Sequence, residues 1–252
     1  MLAINRTLTA FAIFAALGVA GLGMFARAHD SSPSKELPAN PSPAAAVFER
    51  TSEFDYDSPE PGTYELPALR QAGDGAVLDS TGARLRLGDA FKGKIVLFSL
   101  IYTLCSDAKG CPLATATLYD IFNASGGDPE LARNLRIVSL SFDPARDTPA
   151  AIAAYAAPIK AAPNAERKSD WVFLTTESES ALAPILDGYD QVVSRGLGLE
   201  SAPGTLDHIL YVYLIDRAGQ VRNIYTLAFL DPRLILADVK TLLLESGRTA
   251  RQ

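Results

Sequence analysis

Lys94-Ile-Val-Leu-Phe-Ser-Leu-Ile-Tyr102 is a continuous apolar run, and Thr103-Leu-Cys-Ser-Asp-Ala-Lys-Gly-Cys-Pro112 follows it directly. An unbroken run of this kind reads as a strand buried on both faces, as in sheets covered by helices on either side. Pro112 suits the first turn of a helix, where its missing N–H costs nothing. That helix is expected to run through Asp120 to about Ala124 and to stop at Gly126-Gly127. The segment is therefore strand, cysteine loop, helix.

The same alternation continues outward. Ala76–Asp79 and Arg84–Leu87 flank Ser80-Thr81-Gly82 as a β-hairpin, and 135–142 reads as a second buried strand. Asp147-Thr148-Pro149 opens a helix through Ala157, 171–175 is a third strand, and Ser178–Asp187 a further helix. Ile209–Ile215 and Val221–Tyr225 pair around Arg217-Ala218-Gly219, with a closing helix from Asp231-Pro232 to Leu244. Strands alternating with helices and ending in a late hairpin predict an α/β sandwich with a mixed sheet and an N-terminal hairpin extension.

Residues 8–25 are uncharged and mostly apolar, with Arg6 before them and Ala26-Arg27-Ala28 after them as a small-x-small cleavage signal. Residues 1–28 are read as a signal peptide or an N-terminal membrane anchor, and either one exports the chain. Residues 29–61, rich in Pro, Ser, Ala and acids, read as a flexible linker. The folded domain is expected over 62–246, with 247–252 as a tail. Hydrophobic residues are 48% of the 252, enough for a substantial core, and the formal net charge of −6 argues against nucleic-acid binding.

Cys105 and Cys111 are the only cysteines, and His208, in Leu206-Asp-His-Ile-Leu-Tyr-Val-Tyr-Leu-Ile-Asp216, is the only histidine in the predicted domain. Two thiols in a short loop form a disulfide, reduce one, or bind a soft metal; adding an imidazole to the inventory moves the weight toward copper or zinc. Export places the thiols where disulfides persist. The helix N-terminus just after Cys111 is expected to favour its thiolate, and Cys105 to be the more mobile of the two. A purely structural disulfide in so short a loop would constrain little of a domain this size. Asp207 is a candidate to orient His208, and Asp143, Arg146 and Asp147 are expected to organise a turn near the site. Tyr102 is expected to pack beside the cysteine loop.

In four segments the chain resembles the Sco/SenC family of thioredoxin-fold copper proteins, which act in cytochrome oxidase assembly. They are Ser99–Thr103 with Cys105 and Cys111-Pro112; Leu140–Pro149, which contains Asp143-Pro-Ala-Arg-Asp-Thr-Pro149; Trp171–Thr175; and Asp207-His208 with Tyr213–Asp216. The resemblance implies a thioredoxin-like domain in which Cys105, Cys111 and His208 bind Cu(I) or Cu(II). It implies delivery of copper to, or reduction of the cysteines of, the copper-site subunit of a respiratory oxidase or another cuproprotein. It also implies a place in the cell envelope, on the periplasmic side of the inner membrane, anchored or soluble. One departure stands out: the family usually places three residues between its cysteines, whereas five intervene here, with Ser106 where a proline is usual.

The alternative reading is a metal-independent thiol–disulfide oxidoreductase of the envelope, cycling Cys105 and Cys111 with a thiol–disulfide reductant and needing neither His208 nor copper. A peroxiredoxin-like peroxidase is weakened by the lack of a Pro-x-x-x-Thr-x-x-Cys motif. A scaffolding role leaves the two cysteines and the histidine unexplained.

Overall fold

The computed structural model describes residue 48, residues 51–195 and residues 206–249. The apolar segment 8–25 lies outside them. No helix among the described residues is long and apolar enough to cross a membrane.

In chain order the elements are β1 (Arg70–Gln71), β2 (Ala76–Asp79), β3 (Arg84–Arg86), α1 (Leu87–Phe91), β4 (Ile95–Ile101), α2 (Cys111–Ser125), α3 (Pro129–Asn134) and β5 (Leu135–Ser141). There follow α4 (Pro149–Lys160), β6 (Asp170–Thr175), α5 (Glu179–Gly188), β7 (Ser194–Arg195), β8 (Leu206–Asp207), β9 (Val212–Ile215), β10 (Gln220–Tyr225) and α6 (Pro232–Thr249). Eight strands form one mixed sheet in the order β1-β10-β9-β4-β5-β6-β2-β3. Strands β4, β5 and β6 are parallel, and β9 joins β4 antiparallel. The expected α/β sandwich with a mixed sheet and an N-terminal hairpin is the architecture observed.

All seven residues of β4 are buried, as its unbroken apolar run requires. From Ile95 to Leu100 its apolar side chains alternate between two cores. Ile95 and Leu97 join α2, α4 and α6 through Leu118, Ile121, Ile152 and Ile235. Val96, Phe98 and Leu100 join α1 and α5 through Leu87, Phe91, Leu182 and Ile185. This two-sided burial goes with a place in the middle of the sheet, and the cysteine loop leaves from the C-terminal end of β4.

Helix starts are well signalled. The Thr148 side chain accepts the Ala151 N–H, Ser178 that of Ala181, and Asp128 those of Glu130 and Leu131. The short helices α1 and α3 carry too little periodicity to be read from sequence. Helix α4 runs past its expected end at Ala157 to Lys160, with Pro158 inside it.

The last residues of the segment read as a linker are held on α6. The Arg233 guanidinium donates to the carbonyls of Phe54 and Tyr56 and lies over the Tyr56 ring. Further along, the Gly62 N–H donates to Thr241 Oγ1 at 2.9 Å, and the Tyr64 hydroxyl donates to buried Asp238 at 2.6 Å.

Candidate metal and thiol site

The cysteine loop consists of two tandem turns. In the first, the Cys105 N–H returns to the Tyr102 carbonyl at 3.2 Å. In the second, the Gly110 N–H returns to the Asp107 carbonyl at 2.9 Å, while Asp107 Oδ1 accepts the Lys109 N–H at 3.0 Å. The lengthened spacer is thus folded back on itself, and α2 begins at once with Cys111 as its first residue and Gly110 as its cap. A Cβ added to Gly110 would stand 3.3 Å from Cys105 Sγ and 3.3 Å from the Asp107 carbonyl oxygen. The Cys105 sulfur therefore lies against the backbone just before Cys111. Replacing Gly110 by Ala is expected to push that sulfur aside, and faster alkylation of Cys105 with an unchanged thiol count would report it.

His208 reaches the same place from the other side. Antiparallel pairing of β4 with β9 sets Ser99 opposite Val212, so the chain entering β9 lies beside the chain leaving β4. The expected strand from Ile209 is shorter than its sequence suggested and begins at Val212; His208 instead follows β8, which pairs with β7 in a separate two-stranded ribbon. Cys111 Sγ and His208 Nε2 are 3.7 Å apart. The imidazole packs on Phe142, with ring centroids 4.5 Å apart, and edge-on to Tyr102 at 6.3 Å. Both thiols are free; Cys111 is buried at 1% exposure and Cys105 is half-buried. A groove of about 1110 Å³ opens onto Cys105, His208 and Tyr102, with Asp107, Ile209 and Leu227 along it. Among the described residues no three His, Cys, Asp or Glu side chains stand close enough together to hold a metal ion as they are placed. The arrangement is an open one, a close thiol–imidazole pair with the second thiol on the adjoining turn.

Electrostatics correct one expectation. Burial pushes the Cys111 thiol far above its usual range, and the nearby Cys105 raises it further, against a backbone hydrogen bond from Tyr102. The helix N-terminus was expected to favour thiolate here, but desolvation outweighs it at a sulfur this deeply covered. Burial likewise raises the Tyr102 hydroxyl, with Cys105 adding to the effect.

His208 is lowered from its usual 6.5 by burial, while Asp107 and then Asp207 pull the other way. Neutral imidazole, the metal-binding form, is thereby favoured. Because the folded pKa lies below the unfolded one, the unfolded chain binds more protons between the two values. Stability is then complete above about pH 6.5 and falls as the pH drops through that window. The Tm of the metal-free protein should decline from pH 7 to pH 5, and decline less in His208→Gln; equal slopes would contradict a half-buried His208 whose neutral form is favoured.

Two carboxylates anticipated near the site are in place. Asp143 pairs with Arg146 at 3.0 Å, and Asp147 accepts from the Thr103 N–H at 3.0 Å and from the hydroxyls of Thr103 and Ser141. Asp207 is exposed, and its charge acts on His208 less than that of Asp107. Phe142, Thr103 and Ser141 were not anticipated as site residues. Their signal was positional: all sit at the C-terminal ends of β4 and β5, the end of parallel strands where sites gather.

A SCO1/SenC family model matches residues 73–244. Among solved structures, ScoI of Bradyrhizobium japonicum with copper bound is 24% identical with a TM-score of 0.55, covering 68% of this chain and 99% of its own. A SCO1/SenC family lipoprotein from Bacillus anthracis is 23% identical with a TM-score of 0.57, covering 69% and 95%. BsSco, described as having a disulfide switch and as a member of the Sco family of cytochrome c oxidase assembly proteins, is 23% identical with a TM-score of 0.54, covering 71% and 98%. A search of curated proteins finds no match.

Proposed function

The chain belongs to the SCO1/SenC family, and on that premise we propose that it is a copper-binding protein of the cell envelope that holds the metal through Cys105, Cys111 and His208. The observation that carries this reading is the 3.7 Å approach of Cys111 Sγ to His208 Nε2, beside a turn that presents Cys105. Two thiolates and an imidazole form a soft donor set that suits Cu(I), and copper bound there would be carried and handed on as cargo. The structure of ScoI with copper bound, from a protein of the same fold, supports the choice of metal.

The protein's own groups prepare the site. Phe142 and Tyr102 orient the imidazole and shield it from water. Burial keeps Cys111 protonated until a metal takes the proton's place, so binding releases protons and is favoured by rising pH. The partner is the copper-site subunit of a respiratory oxidase or another cuproprotein. Exposed Leu104 and Ile209, at 62% and 60%, give it apolar surface beside the metal ligands. Residues 1–28 export the chain and either anchor it or are cleaved, and the domain works on the periplasmic side of the inner membrane.

Titration of the reduced full chain tests the proposal. It should take up one Cu(I), and Cu(II) should give a thiolate-to-copper charge-transfer band that is lost in Cys105→Ser and in Cys111→Ser. No stoichiometric copper, with reversible disulfide formation intact, would move the assignment to a metal-independent thiol–disulfide oxidoreductase.

A further inference from the structure

Cys105 belongs to no helix or strand, yet its turn is tied down at one corner. The turn runs from Tyr102 to Cys105, and Thr103 is its second residue. The Asp147 carboxylate grips Thr103 twice: Oδ2 accepts its backbone N–H and Oδ1 its hydroxyl. Oδ2 also accepts the hydroxyl of Ser141, the last residue of β5. Asp147 is itself held, since its N–H donates to the Asp143 carbonyl at 2.8 Å, and it is 1% exposed. One buried side chain therefore connects the cysteine turn to the end of the neighbouring parallel strand. On its other side the loop needs no such tie, because Cys111 is already fixed in the first turn of α2.

We propose that Asp147 is a positioning residue, which fixes where Cys105 stands relative to Cys111 and His208 by pinning the turn at Thr103. The inference deepens the copper and dithiol reading of the site and rests on it. Pinning restricts the positions open to the Cys105 sulfur, which raises its effective concentration at Cys111. The role requires acceptors in the right places rather than a negative charge. Asparagine can serve: its oxygen can accept from the Thr103 N–H and the Ser141 hydroxyl, while its amide donates to the Thr103 oxygen.

The test uses the full chain in four forms: wild type, Asp147→Ala, Asp147→Asn and Thr103→Val. Asp147→Ala should lower the equilibrium constant for the Cys105–Cys111 disulfide against glutathione by about tenfold or more, which is a rise of about 30 mV in dithiol potential. Thr103→Val removes one of the bonds without opening a cavity, and should cost about fivefold. This milder variant decides the matter if Asp147→Ala does not fold. Asp147→Asn should restore the disulfide constant close to wild type. Alkylation of Cys105, followed by peptide mass, should quicken in Asp147→Ala and Thr103→Val and not in Asp147→Asn.

An unchanged disulfide constant and an unchanged Cys105 alkylation rate in Thr103→Val and Asp147→Ala, with only a lower Tm, would overturn the proposal. So would an Asp147→Asn variant as damaged as Asp147→Ala, since charge rather than pinning would then be responsible. The alkylation rate reads the order of the turn whether or not the protein binds copper or cycles a disulfide. A wild type that does neither would sink the functional reading, while the contrast between variants would still decide the role of Asp147.

Discussion

His208→Ala should weaken copper binding by on the order of a hundredfold or more, since loss of a supporting neighbour alone costs metal sites 10- to 100-fold and this change removes a ligand. The Cu(II) charge-transfer spectrum should collapse with it. Disulfide formation between Cys105 and Cys111 should survive, because His208 touches Cys111 from outside the loop and contributes no hydrogen bond to its two turns. The variant therefore separates two chemistries that share the same thiols. A metal-independent oxidoreductase would show almost no change in disulfide exchange and no specific copper binding to lose. Unchanged copper affinity in His208→Ala would remove the imidazole from the site. The measurement is competition for Cu(I) against a chelator of known affinity, with thiol counting before and after mild reduction.

Phe98→Ala should destabilise the protein by about 3–5 kcal/mol, the range for deleting a large aromatic from a close-packed interior. Phe98 is fully buried in the middle of β4 and meets three rings, Tyr189 at 4.7 Å, Phe91 at 5.6 Å and Tyr213 at 6.1 Å between centroids. Those rings come from α1, from the end of α5 and from β9, so the cavity would be lined by parts that cannot collapse together. Urea unfolding should show a lower midpoint with an unchanged slope. The exposed Leu104→Ala is the control and should stay within about 0.5 kcal/mol of wild type. A Phe98→Ala cost under about 1 kcal/mol would mean that this face of the sheet is not the close-packed core described.

Strand β4 was legible because burial on both faces writes itself as an unbroken apolar run, and α2 because a proline in its first turn and paired glycines at its end bracket it. The segment 143–149 was legible as a turn and a helix start, and Thr148 does cap α4. The likeness of four short segments to one family carried the functional expectation further than any spacing could. One failure was local. The strand expected from Ile209 begins only at Val212, because the residues before it are apolar without being paired.

The sequence by itself determined the inventory of the site: two thiols in one loop, one imidazole a hundred positions later, and a buried strand to carry the loop. It also determined the longer elements, from β4 and α2 to the closing α6, since periodicity, caps and turn residues act over a few positions of chain. Only the tertiary structure decided that these groups meet. The antiparallel seating of β9 on β4 brings the approach to β9 beside the exit of β4, and with it His208 to within 3.7 Å of Cys111. Only the tertiary structure, too, decided the sign of the electrostatics at Cys111. The helix start that favours a thiolate is visible in the chain, but the covering that opposes it comes from residues far away in sequence, and desolvation depends on how completely they close over the sulfur.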